Sequence, residues 1–295
     1  MTAERVTADQ SASESASDLP GLQLARLPVR RFAGGAWTDW QDDLVAAEEP
    51  LELRVQLAGE GSEALSVTMR TPGHDLHLAR GWLHAEGLGG AVRELWQTSD
   101  TPNVVWLRGD ESVLLGARRS TVTSSACGIC GSGSVERLML RVQPPVWTAD
   151  PLSPALISSL PERLLEAQPA FQATGGLHAA GLFDPGGTLL AAFEDVGRHN
   201  AVDKLVGACL GAVQIGAAQV GPAQVLPPNR VLVTSSRAGF EIVQKALLAG
   251  VAVVVTVGAP STLAVDTAVS LGLTLVGFAR AGRFNVYAGA ERLAF

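Results

Sequence analysis

Hydrophobic and polar residues alternate near the start of the chain, where Leu51, Leu53, Val55 and Leu57 are separated by polar side chains. Such alternation is typical of a half-buried strand. The turn at 59–61 and a second apolar run at 64–70 predict a hairpin. Helical spacing over 74–86, ended by Gly87, predicts a helix. With short strands predicted near 94–96 and 104–107, residues 21–123 are predicted to form a smaller N-terminal α+β domain.

The second half of the chain alternates between helical and strand patterns. Helices are predicted over 154–167, 198–213, 238–249 and 261–271, the last with Ser261 as its N-cap. Strands are predicted over 177–183, 188–193, 231–234, 251–257, 273–278 and 284–287. Uninterrupted apolar strands such as 251–257 are typical of strands covered on both faces. Residues 151–295 are therefore predicted to form a three-layer α/β domain with a mixed sheet. Residues 1–20 lack periodicity and read as a disordered tail, and 124–150 as a loop and linker.

Composition narrows the functional classes. The 295 residues carry a formal net charge of -7, which argues against a general nucleic-acid or anionic-membrane binder. The first twenty residues have no apolar region of the kind that export needs. Three cysteines do not make the disulfide framework of a secreted protein. These observations predict a cytoplasmic protein that binds neither nucleic acid nor a membrane.

Two of the three cysteines, Cys127 and Cys130, lie in a glycine- and serine-rich stretch at 124–133. Such a stretch predicts a loop that presents thiols for chemistry. A zinc site would need two more ligands, and His178 and His199 lack the usual short spacing, so no metal is expected. A thioredoxin-like dithiol would stand at a strand-to-helix junction. Nucleophilic sulfur chemistry remains, whereas Cys209, within an apolar helix, is predicted to pack in the core.

Polar residues gather in a second region, formed by 174–180 and 194–204. Glu194 and Asp195 fit a simple role at a helix N-terminus. The close succession of Arg198, His199 and the polar residues after them favours a functional site instead. His74, His77 and His84 share one helix and, without a carboxylate beside them, are predicted to lie on a solvated face.

A third group lies at predicted strand ends, in 235–237, 258–261 and 278–283. Ligands of open α/β sheets bind at the carboxyl ends of strands. Arg237, Arg280 and Arg283 at such ends predict a phosphorylated or nucleotide-like ligand, because arginine makes charge-assisted bonds to phosphate. The alternative is a set of ordinary turns with surface arginines.

Several blocks of the sequence, in order, resemble the FdhD family of formate dehydrogenase accessory sulfurtransferases. The resemblance spans about residues 51–287 and includes the CGICG block around Cys127 and Cys130. The other matching blocks are RTPG at 70–73, ARGWLHAEG at 79–87, TGGLHAA at 174–180, EDVGRHNAVDK at 194–204 and the tail from APS at 259–261 to NVY at 285–287.

The resemblance implies a function. Family members take persulfide sulfur from a cysteine desulfurase and pass it to the molybdenum bis(molybdopterin guanine dinucleotide) cofactor of formate dehydrogenase. Cys127 matches the persulfide-carrying cysteine and Cys130 its partner. Expected cofactor contacts are those of the matching C-terminal segment and the cationic residues at the strand ends: Phe278, Ala279, Arg280, Ala281, Gly282, Arg283, Arg237, His199 and Arg198.

The resemblance also implies that the C-terminal domain has the cytidine-deaminase fold. Deamination itself is not expected, because two alanines follow His178 where the deaminase zinc signature needs a glutamate. The family's Ser-Gly-Arg-x-Ser-x-Glu motif appears here with Ser236 and Gly239 at its glycine and second serine positions. Two other functions stay open, a cofactor-binding chaperone without catalysis and a metal-binding regulator. A homodimer is compatible with such a domain, although no sequence feature marks an interface.

Overall fold

The computed structural model of the chain describes residues 24–117, 142–210 and 225–295. The tail predicted at 1–20, the stretch around Cys127 and Cys130, and the end of the helix predicted over 198–213 lie outside these residues. In the first half the elements are β1 (Leu24–Val29), β2 (Phe32–Ala33), β3 (Ala36–Trp37), β4 (Gln41–Ala46), β5 (Glu49–Gln56), β6 (Ser62–Arg70), α1 (Asp75–Glu86), β7 (Val92–Thr98), β8 (Thr101–Gly109) and α2 (Glu111–Gly116).

The first larger sheet has the strand order β6-β5-β8-β7. The predicted hairpin is β5 paired antiparallel with β6, while β5 and β8 run parallel. The alternating residues Leu51, Leu53 and Val55 are buried and share a core with Leu78 and Leu83 of α1. The helix ends at Gly87 in a left-handed conformation (φ 77°), as predicted.

A two-stranded arm precedes this sheet and was not predicted. Strands β1 and β4 pair antiparallel, and β2 and β3 form its tip across Gly34 and Gly35, whose φ angles are 60° and 83°. Trp37 and Trp40 of the arm are 64% and 70% exposed. With mostly exposed residues in β1, the arm lacks the apolar alternation that marks a half-buried strand.

The second half holds α3 (Pro154–Glu166), α4 (Pro169–Thr174), β9 (His178–Phe183), β10 (Leu189–Asp195), α5 (Arg198–Cys209), β11 (Val231–Thr234), α6 (Phe240–Leu248), β12 (Val253–Thr256), α7 (Thr262–Ser270), β13 (Thr274–Arg280) and β14 (Arg283–Ala288). The element predictions are confirmed to within a few residues, apart from α4, which was not predicted. Ser261 caps α7 by accepting a hydrogen bond from the Ala264 N–H at 3.3 Å.

The six-stranded sheet is mixed, with the order β10-β9-β11-β12-β13-β14. Leu232, Val254 and Leu275 share a core with α5, α6 and α7 on one face. Val233 and Val255 share a second core with α3 on the other face. The prediction of a three-layer arrangement around a mixed sheet is therefore confirmed.

Helix α1 crosses α5 at close range and joins the two halves. A Cβ at Gly81 would overlap the carbonyl oxygen of Asp203, and a Cβ at Gly207 would overlap that of His77. Arg80 donates a hydrogen bond to the Gly207 carbonyl oxygen at 3.0 Å. Only glycine at both positions lets the two backbones come this close.

No helix within 24–117, 142–210 and 225–295 is long and apolar enough to cross a membrane.

Candidate functional site

Polar side chains from several elements lie at one end of the strands of the six-stranded sheet, which we call its carboxyl edge because the parallel strands β11, β12 and β13 end there. Strands β11, β12 and β13 run parallel, so their carboxyl ends meet there. Ser235 follows β11, and Arg280 ends β13. Strand β9 runs antiparallel to β11, which places His178, its first residue, at the same edge. Helices α5, α6 and α7 also begin at this edge, with their positive dipole ends toward it.

Hydrogen bonds fix the turn after β11. The Ser235 hydroxyl accepts from the Ala179 N–H at 2.9 Å, and the Ser235 N–H donates to the Ala179 carbonyl oxygen at 3.0 Å. The Gly258 N–H donates to the Ser236 carbonyl oxygen at 3.1 Å. A Cβ at Gly258 would lie 2.8 Å from Cγ of Arg237. Close contact between the two turns therefore requires glycine after β12.

A cavity of about 510 Å³ opens between this edge and the helices α3 and α4. Its wall is largely apolar, and three polar side chains reach it from the strand ends, His178, Ser235 and Arg280. An apolar cavity with a few convergent polar groups is the usual form of a small-molecule site. The apolar lining includes Leu164, Leu165, Phe171, Leu177, Val257 and Ala279.

Cationic residues surround His178. Burial lowers the pKa of His178, and the charges of Arg198, His199 and Arg237 lower it further, against the opposing effect of Asp195. His178 is therefore a neutral imidazole at pH 7. In an acidic protein, this local excess of positive charge favours an anionic ligand.

His199 forms an ion pair with Glu241, the Nδ1–Oε2 distance being 2.9 Å. Burial acts to raise the pKa of Glu241, but the hydrogen bond from His199 and the charges of His199, Lys245 and Arg198 lower it to about 2. Glu241 is thus ionised at neutral pH. Glu241 is the glutamate that ends the Ser-Gly-Arg-x-Ser-x-Glu motif, and no sequence pattern predicted its contact with His199.

Other polar residues of the 194–204 block have structural contacts. The Lys204 ammonium lies 2.7 Å from Asp195 Oδ2 and donates to the Thr71 carbonyl oxygen at 2.9 Å. Asp195 Oδ2 also accepts from the Thr71 N–H at 3.2 Å. Glu194 accepts from the N–H groups of Ala170 and Phe171 and so caps α4. These residues join the two halves of the chain and support α4, rather than face the cavity.

The RTPG block has the same kind of role. The fully buried Arg70 guanidinium binds Asp75 through two hydrogen bonds, of 3.0 and 2.8 Å, and donates to Asn103 at 2.8 Å. On the other side of the interface, Asn200 donates to the Met69 carbonyl oxygen at 2.8 Å. Part of the motif set that carries the family resemblance therefore builds the contact between the halves.

Residues 278–283 form the irregular hairpin between β13 and β14. Phe278 and Ala281 have positive φ angles of 54° and 36°, and pairing shifts between Gly277 and Arg280. Phe278 is 41% exposed. Of the predicted contact residues here, Ala279 and Arg280 line the cavity, whereas Phe278, Ala281, Gly282 and Arg283 are exposed on the hairpin.

The prediction of three solvated histidines on one helix face is wrong for His77 and His84, whereas His74, just before α1, is exposed. A ring nitrogen of His84 lies 3.0 Å from the Leu248 carbonyl oxygen, and His84 is buried. The rings of His74 and His77 stack at 5.8 Å and meet the edge of Phe193. Contact with the second half of the chain covers His84 and part of His77, which helical spacing alone does not reveal.

The two departures from the family motif lie at the turn and at the start of α6. The Ser236 hydroxyl is buried and donates to the Arg237 carbonyl oxygen at 3.1 Å. Gly239 is the N-cap of α6 and offers no side-chain cap. Serine is a standard N-cap residue. Its absence at position 239 therefore affects the stability of α6 before it affects any ligand contact.

The predicted nucleophiles Cys127 and Cys130 lie outside the described residues. Cys209 is half-buried and packs against the core, as predicted, and burial raises the pKa of its thiol. Within the described ranges, His, Cys, Asp and Glu form no group of three or more that could hold a metal ion. The expectation of no bound metal stays a prediction.

Some site residues had no sequence signal. Leu164, Leu165 and Phe171 reach the cavity from α3 and α4 and belong to none of the matching blocks. His178 and Ser235 were within the predicted clusters but were not among the expected cofactor contacts, although both lie next to strand ends.

Comparison with known proteins gives consistent results. Relatives named "Sulfur carrier protein FdhD" include one from Anaeromyxobacter dehalogenans, 46% identical over 85% of this chain and 88% of the relative. Another, from Streptomyces avermitilis, is 45% identical over 93% of this chain and 97% of the relative.

The fold is similar to a crystal structure from Desulfotalea psychrophila, described as a candidate formate dehydrogenase accessory protein. Its TM-score is 0.65 at 23% identity, with 92% of this chain and 99% of that chain covered. The family model described as FdhD/NarQ matches residues 46–294. The chain therefore belongs to the FdhD/NarQ family.

Proposed function

We propose that this protein is a sulfur carrier in the maturation of formate dehydrogenase. It takes persulfide sulfur from a cysteine desulfurase and passes it to the molybdenum bis(molybdopterin guanine dinucleotide) cofactor. The observation that carries the proposal is the name shared by relatives that cover most of the chain, "Sulfur carrier protein FdhD". The Cys127 and Cys130 pair in the sequence supplies the thiols that such a role needs.

The transfer of one sulfur balances without an external reductant, and a thiol reductant then restores the Cys127 and Cys130 thiols for the next transfer. The Cys127 thiolate attacks the outer sulfur of the desulfurase persulfide, forming a Cys127 persulfide and releasing the desulfurase thiolate. Attack by the Cys130 thiolate on the inner sulfur then releases hydrosulfide and leaves a Cys127–Cys130 disulfide. The two thiols supply the two electrons that reduce the sulfane sulfur. The hydrosulfide replaces an oxo ligand of the cofactor, and with one further proton from solvent that oxygen leaves as water.

The cofactor is the cargo of this carrier, and the carboxyl edge of the six-stranded sheet is its proposed binding site. Arg198, His199 and Arg237 provide positive charge around His178. Arg280 adds a guanidinium at the cavity, and Arg283 stands on the exposed hairpin. Guanidinium groups and helix N-termini suit the phosphates of a dinucleotide.

Intact-mass analysis tests the sulfur carrier. The protein is incubated with a cysteine desulfurase and cysteine, and a gain of about 32 Da is expected for a persulfide. Cys127→Ala should lose the gain. Cys209→Ala is the matched control and should keep it, because the Cys209 thiol is half-buried with a raised pKa. Absence of any gain with an active desulfurase would overturn the proposal.

The rival function is a non-catalytic chaperone that escorts the cofactor. It is favoured by one observation, that the cationic groups around His178 do not depend on the cysteines. A chaperone would leave partial formate dehydrogenase activity in a Cys127→Ala strain, whereas the carrier would lose it with cofactor binding intact. A cytoplasmic location, a homodimer and the cytidine-deaminase fold remain part of the proposal.

A further inference from the structure

Two charged pairs connect α5 and α6 one turn apart. His199 and Asp203 are four residues apart on α5, and Glu241 and Lys245 are four apart on α6. His199 Nδ1 lies 2.9 Å from Glu241 Oε2, and Lys245 Nζ lies 2.7 Å from Asp203 Oδ1. Residues at this spacing lie on one helix face, so the two pairs form a ladder along the contact.

The two pairs differ in their surroundings. Asp203 and Lys245 are buried, and their ion pair is shut off from water. The side chains of His199 and Glu241 remain 14% and 20% exposed, and they lie at the first turns of the two helices, beside Arg198. The buried pair joins the two helices, and the open pair lies close enough to His178 for the charge of His199 to lower the pKa of His178.

Glu241 carries a negative charge at a site that is proposed to bind an anion. An ionised carboxylate among cationic groups repels an anionic ligand, so a through-space effect alone would make it unfavourable. Its contact with His199 suggests a favourable effect that exceeds this repulsion, namely the orientation of the imidazole ring. With Nδ1–H donated to the carboxylate, the protonated ring of this ion pair has one further donor, Nε2–H. No described residue forms a hydrogen bond with Nε2 of His199. Nε2 is also not among the buried atoms that lack a partner, so it is accessible to a ligand.

We propose that Glu241 is a positioning residue for His199, holding the ring by Nδ1 so that Nε2–H donates a hydrogen bond to an anionic group of the ligand. The inference rests on the proposed cofactor site and extends it, because it gives Glu241 a role in anion recognition. Carboxylate–histidine pairs commonly fix the tautomer and the orientation of a functional imidazole.

Binding of guanosine diphosphate, which carries the guanine and diphosphate of the proposed cargo, tests the inference by calorimetry. Glu241→Ala should bind about tenfold more weakly, the cost of one lost charge-assisted bond. Glu241→Gln keeps an acceptor oxygen for Nδ1–H and should stay within about threefold of the unmodified protein. Asp266→Asn, which changes an exposed carboxylate on α7, is the matched control and should leave the affinity unchanged.

Two further measurements separate positioning from a structural role. In a His199→Ala background, Glu241→Ala should cause no further loss of affinity, because the residue through which it acts is absent. Nitrogen-15 NMR of labelled histidine in the guanosine diphosphate complex should show protons on both ring nitrogens of His199, and Glu241→Ala should move these signals toward those of a neutral ring.

The outcomes are distinct. Equal or tighter binding by Glu241→Ala would overturn the inference, since that is the result of charge repulsion alone. An equal loss with and without His199 would also overturn it. If the unmodified protein does not bind guanosine diphosphate, anion recognition by this pair fails together with the proposed cofactor site. The persulfide on Cys127 would then still be decided separately by mass analysis.

Discussion

Gly81 of α1 and Gly207 of α5 face each other where the two helices cross. A Cβ on Gly207 would lie 2.7 Å from the Gly81 amide nitrogen, well inside a normal contact. The close crossing thus depends on the absence of a side chain at both positions. The surrounding hydrogen bonds depend on the helix spacing that these glycines allow.

Substituting alanine at either glycine should force the helices apart. We expect Gly81→Ala or Gly207→Ala to lower the free energy of unfolding by about 3 kcal/mol or more, because the added methyl meets rigid backbone. Urea denaturation followed by circular dichroism measures the loss. Gly116→Ala is the control, since a Cβ there meets open space, and its stability should be unchanged or slightly higher. Equal stability of all three variants would contradict the close crossing.

Removing the Lys204 ammonium should leave the buried Asp195 carboxylate without its ion-pair partner. Lys204 and Asp195 are fully buried at 2.7 Å, so Lys204→Ala should cost about 3–5 kcal/mol of unfolding free energy. The double variant Asp195→Asn with Lys204→Met should be less destabilised than Lys204→Ala, because no unpaired charge remains. Denaturant titration of both variants gives the comparison, and a double variant as unstable as the single one would argue against a charge effect.

Acid should weaken the fold through Glu241. Its pKa falls from an ordinary 4.5 to about 2 in the folded protein. The ionised group therefore stabilises the fold above pH 4.5, and this contribution is lost as the pH falls toward 2. Between pH 6 and pH 3 the unmodified protein should lose about 2 kcal/mol more than Glu241→Gln. Parallel pH profiles of unfolding free energy for the two proteins would refute the shift.

A serine at position 239 should stabilise α6. Gly239 has extended backbone angles (φ −81°, ψ 169°) that serine adopts freely, and a Cβ there meets open space. Gly239→Ser should raise the free energy of unfolding by about 0.5 kcal/mol through a new N-cap and a less flexible unfolded chain. Gly239→Ala, which brings no cap, should fall below the serine variant. Thermal denaturation of the three proteins tests this order.

Sequence patterns predicted the elements whose signals are local. Strand β11 matches its predicted bounds, and Gly87 and Ser261 end and begin their helices as expected. The arm formed by β1–β4 was missed because exposure on both faces removes the alternation that marks a strand, although Gly34 and Gly35 form a typical hairpin turn.

For the candidate site, the sequence predicted the arginines at the strand ends. Its motifs do not distinguish residues of the site from residues of the interface between the two halves. His199 and Lys204 stand in one motif, yet one pairs at the site edge and the other is fully buried against Thr71. That division depends on which surface the other half of the chain covers. Tertiary contacts of this kind have no periodic signal.

The interface between the halves also bears on cooperativity. Separating them would expose the Lys204 ammonium and Asp195 carboxylate and undo the contact of α1 with α5. Neither half can unfold while the other keeps these buried groups paired, so we expect a single calorimetric transition. For the same reason, a chain cleaved once between residues 117 and 142 should remain one particle in solution, its two fragments held by the α1–α5 crossing.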